Sequence, residues 1–473
     1  MIEPQSVRSQ IGTTNTGKTH SAASVVCLFA LAILLVISQI ILAKASRYIT
    51  HVEVHQWRPA LTLMALLIFP GAILFAAMPS LARLPPTRLL LAGMIATGIA
   101  MRICHLGTIA IAETDHFRYL WDGAVLASGH NPYAIAPADA VKASHLAALA
   151  RTGNTILAGI NFPEYRSIYP GFAQLLFAIA HSLTPWSLDG LRLILLASDI
   201  TTVALLITLL RANGLSPLWA AAYWLNPLVV IVAANQAHID AALPPFILGS
   251  VIFVSARRPA LAATSLALAV GIKVWPLLLV PLFIRQLWPD TRKIAVLLSV
   301  GAITTLAVLG PLLYSTLASG SGLTAYAGGW AMNNPFYLWI TWTFWATLPT
   351  SIPSDQILRA VLVLATCAIV FTQTCTPIAS LRDLITRALV STAALFYLSP
   401  TEFPWYALWF LPLAAAIACR PLLLAPVLLP TYFAFFPLAE SGIRQWYHYG
   451  LSFAHGLPIL AWLAWNYRHR RIS

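Results

Sequence analysis

The chain has 473 residues, of which 59% are hydrophobic and only 9% charged, with a mean hydropathy of +0.78. A soluble domain carries about 25% charged residues, so the composition excludes a soluble globular protein and indicates a polytopic membrane protein. The formal net charge of +13 does not indicate nucleic acid, because the Lys and Arg residues are scattered at the ends of apolar runs, as cytoplasmic loops and anionic lipid require.

In chain order, residues 1–21 are polar, rich in Ser and Thr, and read as a disordered cytoplasmic N-terminus. A single membrane domain is expected over 22–466. Residues 22–43 are long enough to span. Ala43-Lys44-Ala45 faintly resembles a signal-peptidase site, but the run before it is too long for a secretory signal and reads as a retained helix. Spans follow over 58–78 and 88–112. Residues 113–167 form a long extracytoplasmic loop with short interfacial helices over 117–128 and 140–152, broken at His130-Asn131-Pro132-Tyr133. Residues 168–187 read as a half-helix or re-entrant piece. Spans then run over 189–211, 217–236 and 241–256. The run 260–285 is broken at Lys273-Val274-Trp275-Pro276, since proline disrupts a helix interior. Positive residues flank both its ends, which places Lys273 at the apex of two short helices near the outer leaflet.

A span over 294–315 leads to a second outer loop, 317–349. Further spans are expected over 357–377, 387–400, 404–418, 421–437 and 446–466, with 467–473 as a cytoplasmic tail. The sum is an all-α polytopic bundle of about thirteen or fourteen crossings with both termini inside. No internal repeat of the transporter kind is evident.

This topology places most of the fifteen acids outside. Glu113, Asp115, His116, Arg118, Asp122 and His130 fall within one stretch, and carboxylates beside a membrane helix mark a functional site by default. Three further outer segments join it: Glu164-Tyr165-Arg166 through Tyr169-Pro170, Asn235-Gln236-Ala237-His238-Ile239-Asp240, and Glu402-Phe403-Pro404-Trp405-Tyr406. A carboxylate serves as general base toward a hydroxyl, Arg, Lys and His hold phosphate, and Trp and Tyr faces suit sugar rings. Structural readings stand beside these. Asp122 buttresses a helix, Asn131-Pro132-Tyr133 is a turn, His238 and Asp240 pair with each other, and Asp199 is a polar contact between helices. The five cysteines lie in or beside apolar runs without a CxxC pair, and the His and acid spacing contains no HExxH, so neither a metal nor a cofactor is expected.

The acid followed by Arg118-Tyr119, Trp121-Asp122-Gly123 and Gly129-His130-Asn131-Pro132-Tyr133 resembles the polytopic mannosyltransferases of the GT-C superfamily. The likeness is closest to the family 87 (DUF2029) type and its polyprenyl-phosphate-sugar-dependent mannosyltransferase relatives. Ile168-Tyr169-Pro170 with Gln174, Asn226-Pro227 before His238-x-Asp240, Gly271-Ile272-Lys273 with Pro276, and Phe403-Pro404-Trp405-Tyr406 follow in the family's order over roughly residues 85–420. Two departures are Gly171, where a second proline is common, and Asn235-Gln236-Ala237, where Ser-Gly is usual.

The resemblance implies a glycosyltransferase of the inner (plasma) membrane, with its catalytic acid in the first large outer loop. A hexose, mannose by the family, would pass from a polyprenyl-phosphate donor to a lipid or glycan hydroxyl with inversion. Asp115 fits the catalytic acid best and Glu113 is the alternative. Arg118, Tyr119, Asp122, Asn131, Tyr133, Arg166, Tyr169, His238, Asp240, Lys273, Glu402, Trp405 and Tyr406 are candidate substrate-binding residues, with Lys273, together with Arg166 or His238, expected to hold the donor phosphate. Two other classes fit the composition: a surface-glycan polymerase or ligase with a lipid-linked donor, and a lipid or sugar transporter or flippase. The transporter class needs ionisable residues inside spans, and Arg102 and Asp199 are the clear examples.

Overall fold

Lipid offers a backbone no hydrogen bonds, so a chain this apolar satisfies its N–H and C=O groups inside helices. The computed structural model describes residues 22–317, 322, 331–347, 349 and 352–470. It is all-α among those residues, with only isolated β-bridges joining Met332 and Asn333 to Thr401. The N-terminal stretch 1–21, the tail 471–473 and most of the second outer loop lie outside the described residues.

Among the described residues, six helices are long and apolar enough to cross a membrane: Cys27–Tyr48, Trp57–Leu81, Asp189–Ala212, Thr291–Thr316, Ser354–Thr372 and Arg420–Glu440. Their outward faces carry exposed large apolar side chains such as Phe29, Phe69, Ile303, Leu306 and Leu364, as contact with lipid tails requires. The chain is therefore an all-α polytopic membrane protein. The remaining apolar runs fold as shorter or broken helices, including Gly171–Leu183, Pro259–Val270 and Trp275–Leu287. The first of these is the half-length piece expected over 168–187. The last two flank the expected break, which falls at Gly271–Val274 with Lys273 in it.

Four elements position the site: α1 (Ala22–Ala45), α2 (Trp57–Leu81), α3 (Arg88–Ile103) and α4 (Asp115–Ala127). Here two expectations are corrected. The run 88–112 is not one helix: α3 stops at Ile103, and an irregular connection carries the chain to Asp115. Polar side chains hold that connection. Asn235 accepts from the Ile111 N–H (2.7 Å) and donates to the Ile109 carbonyl and the Thr108 hydroxyl, while Gln236 donates to the Ile111 carbonyl. The helix expected over 140–152 is instead two short helices, Ala147–Thr152 and Asn154–Ala158, after a turn at Pro137–Asp139. Within the segment expected as a second outer loop, Pro335–Thr347 is helical.

The segment expected to span over 217–236 is bent by 57° at Asn226-Pro227. Asn226 caps the second half by accepting from the Leu228 N–H, and Pro227 takes the first helical position, where its missing N–H costs nothing. The bend carries the chain through the core to His238 and Asp240. Beside it, Arg102 and Asp199 pair at 2.9 Å, both buried, with the Tyr223 hydroxyl donating to Asp199 at 2.6 Å and Arg102 lying over the Trp224 ring. Asp199 is thus the contact between helices that its mid-span position suggests. The two ionisable residues expected inside spans, Arg102 and Asp199, thus pair with each other.

A candidate active site at the start of the fourth helix

The α4 sequence places Asp115, Arg118, Tyr119 and Asp122 at positions i, i+3, i+4 and i+7, on one helical face. Gly123 allows α4 to lie against Gly171–Leu183: a Cβ at Gly123 would sit 2.4 Å from the Phe177 carbonyl. Gly171 is a second close approach, where a Cβ would meet the Val308 carbonyl at 2.7 Å, which accounts for glycine in place of proline.

Thr114 occupies the N-cap of α4 without a side-chain cap bond, and Glu113 does that work. Its Oε1 accepts from the Thr114 and Asp115 N–H groups, each at 2.8 Å, and its Oε2 lies 3.0 Å from His238 Nε2. His238 Nδ1 is 3.3 Å from the Tyr119 hydroxyl, and the ring stacks on Trp405 at 4.1 Å between centroids. Burial alone would raise the Glu113 carboxyl, but the neighbouring His238 charge holds it below the usual range. Burial likewise works against a charged His238, and Glu113 overcomes it and lifts the imidazole above its ordinary value. The two form an ion pair.

Asp115 differs from its neighbour. No hydrogen bond to its carboxyl is found among the described residues, and it faces the cavity. Burial first, and the Glu113 charge second, push it up to about 7. The backbone entering each half of the site is strained. Ala112 before Glu113 and Ala237 before His238 have φ of 51° and 53°, at about 1–2 kcal/mol each for an L-residue.

The cavity, of about 620 Å³, is lined by Glu113, Asp115, Arg118, Tyr119, Arg166, Tyr169, Asp240, Lys273, Trp405, Tyr406 and others. Asp240 is buried and accepts from Lys273 Nζ at 2.8 and 2.9 Å and from Trp409 Nε1 at 2.7 Å. Lys273 also lies 4.2 Å from the Tyr406 ring centre. The 3₁₀ turn Pro404–Trp409 explains this seat, since residues three apart eclipse in such a turn and Tyr406 stacks on Trp409 at 4.1 Å. His238 and Asp240 do not pair with each other; each has its own counter-ion.

The remaining candidates are not in the cavity wall. Asp122 is buried behind it, bound to Arg118 (2.9 Å), Ser167 and Gln174. Asn131 accepts from the Tyr133 N–H in a turn, and the Tyr133 hydroxyl donates to the Tyr169 carbonyl. Glu402 is buried against His455 at 2.6 Å and accepts from Asn334; burial pushes its carboxyl up to about 7. Sequence reasoning missed His51 and His55, which line the cavity from the α1–α2 connection, and Trp275 and Trp409. It also missed Asn235 and Gln236 as supports, although two amides directly before His238 were the visible departure.

One donor atom from each of Glu113, Asp115 and His238 lies within 4.8 Å of the others, a geometry able to hold a metal ion. The linear spacing, with no HExxH or CxxC, carries no sign of this grouping. Glu113 and His238 spend their donor atoms on each other and on α4.

Residues 21–289 match a family model described as the alpha-(1->6)-mannopyranosyltransferase N-terminal domain. No curated protein and no solved structure matches the chain. The matched span includes α4, His238, Asp240 and Lys273, and ends before the aromatic turn 404–409.

Proposed function

The chain belongs to the alpha-(1->6)-mannopyranosyltransferase family, and from that premise we propose that it moves mannose from a polyprenyl-phosphate donor to a hydroxyl of a lipid or glycan acceptor. The reaction takes place at the outer face of the inner (plasma) membrane. The observation that carries the reading is Asp115: a cavity-facing carboxyl without a hydrogen-bond partner among the described residues, held near neutrality, beside a Glu113–His238 pair that fixes the backbone around it. A general base works best with a pKa near the operating pH.

In this account Asp115 takes the proton of the acceptor hydroxyl as its oxygen attacks the anomeric carbon. The phosphate leaves from the opposite face, so the configuration inverts. Retention more usually needs a second carboxylate as nucleophile, and Glu113 is committed to His238 and to two backbone N–H groups. With an α-linked product, as the family description implies, inversion requires a β-configured donor. Trp405, Tyr406 and Tyr169 supply flat faces for the sugar. The wider placement in the GT-C superfamily, near family 87, is supported by the ordered motifs and belongs to the same proposal.

The test is purified protein with a panel of polyprenyl-phosphate sugars and NMR of the product's anomeric configuration. Mannose transfer with inversion is expected. Transfer of another sugar alone, or no transfer with any donor, overturns the reading.

A further inference from the structure

The cations in and beside the cavity are not equally available. His238 is spent on Glu113, and Lys273 is chelated by both oxygens of Asp240. Arg118 differs: Nε goes to Asp122 and Nη1 to the Tyr165 carbonyl at 3.0 Å, but Nη2 is buried with no hydrogen-bond partner among the described residues. Its side chain is only 12% exposed, while Asp122 beneath it is 1% exposed. Arg166 lines the same cavity, and no hydrogen bond or ion pair to it is found among the described residues. The Arg118 bond to the Tyr165 carbonyl brings the two guanidinium-bearing segments together. The Trp275 indole N–H, also buried without a partner, lines this cavity too.

Buried donors without acceptors cost about 1–3 kcal/mol each, and natural structures rarely carry them without a reason. A phosphate presents only acceptor oxygens, and arginine matches its geometry in a planar, bidentate way. Asp122 is in turn locked by the Ser167 hydroxyl and the Gln174 amide. The whole assembly therefore fixes one rotamer of Arg118, on the same face of α4 as Asp115 and one turn along. Such neighbours are about 5–6 Å apart at Cβ, enough to set a base and a leaving group on either side of one carbon.

We propose that Arg118 and Arg166 form the seat of the departing phosphate, that Asp122 is the positioning residue for Arg118, and that Lys273 serves to hold Asp240. The proposal rests on the donor being a phosphate-linked sugar. In the step, the acceptor oxygen bonds to the anomeric carbon and its proton goes to Asp115. The bond from that carbon to the phosphate oxygen breaks, and its electron pair leaves on the phosphate. The extra negative charge develops where Arg118 and Arg166 point.

The experiment measures direct binding of polyprenyl phosphate and of inorganic phosphate to the full-length protein in detergent, with melting temperature recorded for each variant. Arg118→Met and Arg166→Met are each expected to weaken polyprenyl phosphate binding by about tenfold or more, the size of one charge-assisted contact. Lys273→Met should weaken it by less than about threefold. Asp122→Asn should reproduce most of the Arg118→Met loss, and adding it to Arg118→Met should cost little more. Arg118→Lys, which keeps the charge, should recover part of the affinity.

Inorganic phosphate competing with the lipid in wild type, and losing that ability in both Arg variants, identifies the headgroup as the recognised part; competition that survives in both variants overturns the seat. A tenfold loss in Lys273→Met with the arginine variants near wild type also overturns it, as does Asp122→Asn with unchanged affinity for the positioning role. Wild type that binds polyprenyl phosphate at this seat yet transfers no mannose refutes the function and leaves the seat standing.

Discussion

His238 Nε2 lies 3.0 Å from Glu113 Oε2, joining two residues 125 positions apart, of which Glu113 lines the cavity. Through Glu113 the same contact reaches the first N–H groups of α4, so the imidazole and the start of α4 are one unit. Removing one member of a buried pair costs about 3–5 kcal/mol, because the other is left charged and alone. Glu113→Gln and His238→Ala should each lower the melting temperature, and the double variant should be little worse than either single one. Additive losses in a double-mutant cycle would contradict the pairing.

A pH dependence follows from Asp115. Its carboxyl is pushed up to about 7, so it accepts a proton only above that range, and kcat/KM should rise through about pH 7 with unit slope. The stability sign is opposite. A folded pKa above the unfolded value gives stability present below the unfolded value and lost as pH rises through about 7. Asp115→Asn should therefore melt higher than wild type at about pH 8, and this advantage should shrink toward about pH 5. Melting curves that show no such crossover would place the raised carboxyl elsewhere.

The expectation of no metal meets a geometric alternative in Glu113, Asp115 and His238. Because the first and last of these already bond to each other, full transfer activity should survive exhaustive chelation. Loss of activity restored by Mg²⁺ or Mn²⁺, and abolished in His238→Ala, would make the trio a metal site.

Orientation is tested at Val141, which is 64% exposed and lies between α4 and Gly171–Leu183, in the loop proposed to face outward, next to the fully buried Ala140. In a cysteine-free background, Val141→Cys should react with an impermeant thiol reagent from the outside. Labelling only from the cytoplasmic side would invert the proposed topology.

Much of the frame was legible in the sequence because lipid imposes a simple rule on long apolar runs. Helices α1 and α2, Asp189–Ala212 and Thr291–Thr316 follow directly from it. So does the break at Lys273, where a proline follows a lone cation. The start of α4 at Asp115 was two residues from the expected position, which matters because it sets the acid in the first helical turn. The gathering of Glu113, Asp240 and Lys273 at one cavity, with His238 behind Glu113, follows the motif order. What stayed hidden depended on distant partners. Nothing local distinguishes 104–112 from helix, since the amides that hold it come from residues 235 and 236. Glu402 carries no local sign that His455 will bury it, and Arg118 none that Asp122 will direct it away from water.

The most direct test compares Asp115→Asn with Glu113→Gln in mannose transfer from polyprenyl-phosphate mannose, with donor binding measured alongside. Asp115→Asn keeps the size and removes the base, so turnover should fall by at least about a hundredfold while donor binding remains. Glu113→Gln should lose stability with its His238 pairing and keep part of its turnover per folded molecule. Near-full activity in Asp115→Asn with a folded but inactive Glu113→Gln would contradict the account and make Glu113 the base.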